Sequence, residues 1–158
     1  MLNDLKKNIL KYLLILMRLG NSPDIGILIL RVFSGATMFM NHGINKISAG
    51  TIKWERLGSA LTDLIGFESL KIFFGFMASF AESIGAIFIA VGFLTRFSSS
   101  LLFFTMIVAS LKHYLEGDFS ELAFIYALIC FTLIISGSGK YSVDNILKKK
   151  LAIILNYF

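Results

Sequence analysis

The chain has 158 residues, of which 56% are hydrophobic and only 16% are charged. Soluble domains contain about 45–50% apolar and about 25% charged residues, so this composition excludes an ordinary soluble enzyme and indicates a membrane protein. The formal net charge of +5 comes without the polar surface that nucleic-acid binding needs, so we expect no nucleic-acid partner. The single cysteine, Cys130, excludes an internal disulfide and a CxxC redox pair, and we assign it no redox role.

The N-terminal segment, residues 1–23, has the pattern of an amphipathic helix. Lys7, Lys11 and Arg18 fall on one helical face, while leucine and isoleucine side chains fall on another. This pattern is typical of a helix that lies in the membrane interface. A signal peptide is the alternative, but Lys11 interrupts the apolar stretch and no small-x-small cleavage site follows. We therefore expect the segment to be retained.

Four later stretches are apolar and long enough to cross a bilayer as helices of about 17–25 residues. They lie at about residues 25–43, 72–94, 97–115 and 122–139. Only Thr95 and Arg96 separate the second and third stretches, so these two must form a tight antiparallel hairpin. The sequence predicts an all-α membrane protein, a four-transmembrane-helix bundle over residues 24–145, with interfacial amphipathic helices beside it.

Two further segments are predicted to accompany the bundle. In the loop after the first span, Trp54, Leu57 and Leu61 repeat at helical spacing, which predicts a loop helix at about residues 53–66 on the bundle mouth. The C-terminal tail, residues 146–158, combines a lysine cluster with apolar residues. We expect this tail to return to the inner membrane surface.

Lysine and arginine counts predict the orientation, because cytoplasmic segments beside spans are enriched in them. Nine basic residues fall on the side of both termini: Lys6, Lys7, Lys11, Arg18, Arg96, Lys140, Lys148, Lys149 and Lys150. Five fall on the opposite side: Lys46, Lys53, Arg56, Lys71 and Lys112. Both termini are therefore expected in the cytoplasm, with the loop around Trp54 outside.

An ionisable side chain inside a span is costly, and each one is a functional hypothesis. Arg31 in the first span and Glu82 in the second lie at depths that differ by about 9 Å at the helical rise of about 1.5 Å per residue. An extended arginine and a glutamate roughly bridge that gap, so the sequence predicts an Arg31 to Glu82 ion pair inside the bundle. The pair either fixes the helix register or takes a direct part in proton or ligand handling.

Two histidines, His42 and His113, fall at the outer ends of the first and third spans. With Lys46, Glu82 and Tyr126 they predict a polar pocket toward the outer leaflet. Imidazole can donate a hydrogen bond to a quinone carbonyl there and exchange protons near neutral pH. Two alternatives stay open, namely haem ligation by both histidines and simple anchoring of helix ends at the interface.

Other site classes find no support in the sequence. There is no Walker loop, HExxH or GxSxG motif, and the histidines are not at zinc-pair spacing, so we expect no metal site and assign no catalytic residue. The small-residue steps from Gly75 to Ser79 and from Ala81 to Gly85 indicate close helix packing. That packing fits either one bundle or two protomers, which leaves a homo-oligomer as one alternative.

Four motifs, in order across about residues 24–147, resemble those of the DoxX family. The first is R-x3-G-x6-H-G-x2-K from Arg31 to Lys46, and the second is E-x2-G-x6-G-[LF]-x-T-R from Glu82 to Arg96. Met106, Ala109 and His113 fit the third span, and Gly137 to Asp144 is similar to the G-x-G-x-Y-S-[LV]-D ending. On this resemblance the recurring polar positions are Arg31, His42, Lys46, Glu82, Arg96 and His113.

The resemblance implies a four-helix protein of a bacterial or archaeal inner membrane. Relatives include the quinone-side membrane subunit of a thiosulfate:quinone oxidoreductase and a component of a complex linked to thiol oxidative stress. Because the family is functionally mixed, the resemblance carries over the fold more strongly than an activity.

Three functions are therefore weighed. The first is a subunit of a quinone-linked redox membrane complex, in which another subunit supplies the electrons and this chain is not catalytic alone. The second is a non-catalytic scaffold or accessory subunit that docks and stabilises a larger membrane complex. The third, a small-solute transporter, is less favoured because the spans show no clear internal repeat.

Overall fold

The computed structural model describes residues 2–19 and 23–155, with the side chains of residues 5–13 and 23–155. Within these ranges the regular structure is entirely helical, which confirms the predicted all-α class. The helices are α1 Leu2–Leu19, α2 Pro23–Ile47, α3 Gly50–Ile65, α4 Glu68–Val91, α5 Thr95–Leu115, α6 Glu121–Ser136 and α7 Val143–Leu155. The side chain of Arg18, and residues 1, 20–22 and 156–158 of the predicted terminal segments, lie outside the described residues.

Helices α2 and α4 are the two in the described ranges that are long and apolar enough to cross a membrane. Helix α5 has 21 residues but carries a polar stretch that includes Ser98 and Ser99. Helix α6 is apolar but has only 16 residues. The first predicted span continues as helix beyond residue 43 to Ile47, and the fourth ends at Ser136 instead of near residue 139.

Polar side chains are concentrated inside the helix bundle, and large apolar side chains point outward. The buried polar side chains include Arg31, Thr62, Ser79, Glu82, Ser83, Thr95, Ser98 and Ser99. On the outside, Phe33 and Phe97 are 67% and 64% exposed. A surface of this kind suits a hydrocarbon solvent, in which ionisable groups face the bundle interior.

Glycines allow the backbones of α2 and α4 to touch at two levels. A Cβ on Gly35 would overlap the backbone of Ala86, and a Cβ on Gly43 would overlap the backbone of Glu82. Small residues at such crossings let helices approach within van der Waals contact of the main chain. The close crossing at Gly43 brings the C-terminal half of α2 directly against Glu82.

The loop helix α3 packs on the first half of α4 through a second pair of glycines. A Cβ on Gly58 would overlap the carbonyl group of Lys71, and a Cβ on Gly75 would overlap that of Trp54. The Trp54 indole N–H also donates to the Lys46 carbonyl at 2.9 Å. These contacts hold α3 over the end of the bundle where α2 ends.

The opposite end of the bundle is tied together by Asp144 at the start of α7. Its carboxylate accepts hydrogen bonds from the Leu94 N–H at 2.7 Å, the Thr95 N–H at 2.9 Å and the Thr95 hydroxyl at 2.8 Å. A carboxylate at this position satisfies amides that the first turn of α5 leaves open. The Asp144 N–H in turn donates to the Gly92 carbonyl at 2.9 Å, so the α4 to α5 turn is bound to α7.

Candidate functional site

Two π-helical turns meet where α2 crosses α4. One spans Phe39–Gly43 and contains His42, and the other spans Ala81–Gly85 and contains Glu82. A π turn inserts an extra residue into the helical repeat, which rotates the side chains that follow it, and such turns are frequent at functional sites. The overlap that a Cβ on Gly43 would make with Glu82 shows that the two turns are in direct contact.

Lys46 and Glu82 form an ion pair at this crossing. The Lys46 ammonium donates to both carboxylate oxygens, at 2.6 and 2.5 Å. The Glu82 side chain is only 4% exposed and that of Lys46 is 22% exposed, so the carboxylate is the more deeply buried partner. A carboxylate buried to this degree needs such a partner, because an isolated charge in a low-dielectric interior is strongly destabilising.

The predicted ion pair between Arg31 and Glu82 does not form in the structure, where Lys46 is the partner of Glu82. The Arg31 guanidinium lies toward the opposite end of the bundle, where it donates to the carbonyls of Ile89 at 3.3 Å, Ala90 at 3.4 Å and Tyr141 at 2.7 Å. Arginine has five N–H donors, and backbone carbonyls can accept from them as a carboxylate does. The Arg31 Nε–H finds no acceptor among the described residues. The prediction is wrong because the Arg31 side chain extends toward the turn between α4 and α5, away from Glu82.

All five residues of the predicted pocket line one polar cavity of about 160 Å³: His42, Lys46, Glu82, His113 and Tyr126. They come from α2, α4, α5 and α6, so the cavity lies between these four helices. Met38, Met106 and Ala109 contribute apolar wall. Ligand pockets for drug-sized molecules are about 300 Å³ or larger, so this cavity accommodates a single ring and not a macrocycle of the size of haem.

The polar groups of this cavity differ in their hydrogen bonding and in their exposure. The Tyr126 hydroxyl is 2.8 Å from the Thr37 hydroxyl, which fixes its position between α6 and α2. His42 is half-buried, whereas His113 is exposed. His113 is therefore placed at the mouth of the cavity and His42 nearer its interior.

A second cavity, of about 240 Å³, lies on the other side of the ion pair and is almost entirely apolar. Its walls come from α3, α4 and α5 and include Leu61, Phe74, Ala78, Phe104 and Val108. Lys46, Glu82 and Ala109 line both cavities. The ion pair thus forms a wall shared by a polar and an apolar space.

The residues of the predicted pocket line one cavity, but the sequence did not predict that Lys46 is the ion-pair partner of Glu82. The first span was expected to end at residue 43, which put Lys46 in the outer loop. Because α2 continues through its π turn to Ile47, Lys46 instead lies one turn beyond His42 at the edge of the bundle. The spacing of four residues between His42 and Lys46 was the available signal, since residues so spaced share a helix face.

The architecture is that of a helical membrane protein with a polar site enclosed among its helices. A model of the DoxX family matches residues 26–115, more than half of the chain. The chain belongs to the DoxX family. No match was found among curated proteins or solved structures.

Proposed function

We propose that the chain is the membrane subunit of a quinone-linked redox complex and binds the quinone, or a similar amphiphile, in the polar cavity. The observation that carries this proposal is the convergence of His42, Lys46, Glu82, His113 and Tyr126 on one cavity from four helices. Intramembrane ionisable groups are expensive, and their grouping around an open space favours a role in ligand or proton handling.

In the proposed membrane placement, α2, α4, α5 and α6 all cross the cytoplasmic membrane of a bacterium or archaeon. Both termini then face the cytoplasm, α1 and α7 lie in the inner interface, and the polar cavity opens near the outer leaflet. The short α6 crosses in this placement because the bilayer thins locally or flanking residues reach the interface, as occurs for short spans. Cysteine labelling that found position 54 on the cytoplasmic side would reject this topology.

The polar cavity suits the ring of a quinone. The Lys46 ammonium uses two of its three N–H donors on Glu82, which leaves one to donate to a ring carbonyl. Imidazole of His42 or His113 supplies a second donor and exchanges protons with water. Reduction of the bound ring to the quinol would take two electrons from a partner subunit and two protons through these groups.

The apolar cavity suits the hydrocarbon tail of the same ligand. It shares Lys46, Glu82 and Ala109 with the polar cavity, so a ring seated on the ion pair has an apolar space directly beside it. Aromatic and aliphatic walls of this kind make many weak dispersion contacts with a chain. The two cavities together thus match a ligand with a polar ring and an apolar tail.

Binding of a short-tailed benzoquinone to the protein in nanodiscs tests the polar site. His42→Ala should weaken binding about tenfold, because loss of one hydrogen bond to a ligand costs about 1.4 kcal/mol. Tyr126→Phe should also weaken binding, whereas Tyr114→Phe, which removes an exposed hydroxyl outside the cavity, should not. Unchanged binding in both the His42 and Tyr126 variants, with the fold intact, would leave the scaffold function as the better account.

Filling the apolar cavity tests the tail site separately. Ala78→Phe should lower the affinity for a long-tailed quinone about tenfold and change that for a tail-less ring by less than about twofold, because only the tail loses its contacts. Separate titrations of the two ligands into nanodiscs measure both affinities. An equal loss for both ligands would show that the tail lies elsewhere.

The alternative is a non-catalytic scaffold that docks a larger membrane complex. The exposed aromatic side chains, Phe33 and Phe97 among them, favour it, because they offer contact surface to neighbouring membrane proteins as well as to lipid. Purification with native partners, followed by quinone analysis, separates the two proposals. A complex that assembles without bound quinone would favour the scaffold.

A further inference from the structure

Arg96 has no part in the quinone site, and it lines a third cavity at the opposite end of the bundle. This cavity is open, has a volume of about 550 Å³, and lies where α5 begins, α6 ends and α7 begins. Its basic side chains are Arg96 and Lys148. The cavity therefore brings two cations from separate helices to one space.

The loop after α6 lines the same cavity with Gly137, Ser138 and Gly139. Gly137 and Gly139 have φ of 74° and 72°, a conformation that glycine adopts without strain. The Gly137 N–H donates to the Leu133 carbonyl at 2.9 Å, and the Lys140 N–H donates to Asp24 at 2.9 Å. Between these two bonds, the amides of Ser138 and Gly139 find no acceptor in the described part of the chain.

The Arg96 guanidinium lies against this glycine loop. Its Nε is 3.6 Å from the position that a Cβ on Gly137 would take. Backbone N–H groups in a turn of this kind, next to a guanidinium, make a concave site for an anion. Arginine adds a planar pair of donors that matches the oxygens of a phosphate.

The acidic side chain in the cavity wall, Asp144, offsets one of the two positive charges, but its oxygens already accept hydrogen bonds from neutral groups. Its carboxylate is already bonded to the Leu94 and Thr95 amides and to the Thr95 hydroxyl. Within the described ranges, neither Arg96 nor Lys148 has a carboxylate within ion-pair distance. The cavity therefore keeps a positive charge and unpartnered donors.

We propose that this inner-turn cavity binds a phosphate group. Its chemistry is shared by the headgroup of an anionic phospholipid and by free phosphate. Basic pockets between membrane helices on the cytoplasmic side are suited to anionic headgroups, and the proposed topology puts this end of the bundle at the inner leaflet. The site is independent of the quinone cavity, since the two share no lining residue.

The test uses the full chain in nanodiscs of phosphatidylcholine doped with phosphatidylglycerol. After transfer to detergent, native mass spectrometry counts the phosphatidylglycerol that stays bound. The Arg96→Gln and Lys148→Gln double variant should retain about tenfold less than the native chain, because two basic partners near the headgroup are lost. The matched control, Lys149→Gln with Lys150→Gln, removes the same charge from exposed positions outside the cavity and should retain the native amount.

A second arm adds inorganic phosphate to the lipid-depleted protein in detergent. If the native chain binds inorganic phosphate and the double variant does not, the site takes free phosphate. If the native chain retains phosphatidylglycerol but does not bind inorganic phosphate, the site takes the lipid headgroup. Equal loss in the double variant and in the control would overturn the proposal, as would no binding in either arm. If the double variant does not fold, Lys148→Gln alone carries the test, because Lys148 is exposed.

Discussion

Replacing Lys46 with methionine is expected to lower the free energy of unfolding by about 3–5 kcal/mol, because it leaves a buried carboxylate without its partner. Glu82→Gln should cost less, since Lys46 is the more exposed of the two and its ammonium can turn toward water. Reversible unfolding in mixed micelles measures both. The main expectation is that Lys46→Met lowers the free energy of unfolding more than Glu82→Gln does.

A nearby ion pair provides the matched control. Lys71 pairs with Glu68 at 2.7 Å, and its side chain is as exposed as that of Lys46, but the Glu68 side chain is 76% exposed. Lys71→Met should therefore leave stability nearly unchanged, because exposed pairs contribute little. Removing Lys46 and Glu82 together should recover part of the single-variant loss. Similar effects of Lys46→Met and Lys71→Met would contradict the burial argument.

Replacing Arg31 with leucine is expected to lower the free energy of unfolding by about 3–5 kcal/mol. Arg31 is fully buried, and its guanidinium is the donor for three carbonyls on two separate segments of the chain. The Ile89 carbonyl also accepts from the Gly92 N–H at 3.1 Å, but a carbonyl that is left without any donor in the interior costs about 1–3 kcal/mol. Unfolding of the variant in mixed micelles, compared with the native chain, gives the loss.

Arg31→Lys separates the charge of this residue from its shape. A lysine keeps the positive charge but lacks the fork that bonds Tyr141 on one side and Ile89 on the other. We expect an intermediate loss. Full stability in the lysine variant would mean that the charge alone matters and that the bridging bonds contribute nothing.

The sequence was sufficient to predict the all-α class, and the five residues of the predicted pocket line one cavity in the structure. Apolar length and helical spacing predicted helices close to those observed, and the few polar residues in apolar stretches marked the pocket. These signals work because burial of a polar group is costly wherever it occurs. Glu82 lies in such a stretch, whereas Lys46 was expected in the loop after the first span.

The partners of Glu82 and Arg31 could not be predicted from the sequence, because they depend on the local helix geometry and on side-chain direction, which the spacing of residues does not determine. The π turns at Phe39–Gly43 and Ala81–Gly85 change the phase of the side chains after them, and no composition signal predicts such turns. The Arg31 side chain is long enough to extend either toward Glu82 or toward the carbonyls of Ile89 and Tyr141, and it extends toward the carbonyls. Tyr141, its nearest partner, lies far along the chain and offers only a backbone carbonyl.

The bond between Arg31 and Tyr141 also has a consequence for biosynthesis. Arg31 leaves the ribosome early, whereas the carbonyl that binds it most closely is made 110 residues later. While the chain is being synthesised, α2 therefore holds the Arg31 guanidinium before its closest acceptor exists. The guanidinium can form its bond to the Tyr141 carbonyl only after the last segment has been translated. The C-terminal segment thus supplies the last of the bonds that hold Arg31, and a chain that stops at residue 136 would leave this arginine of α2 without its shortest hydrogen bond.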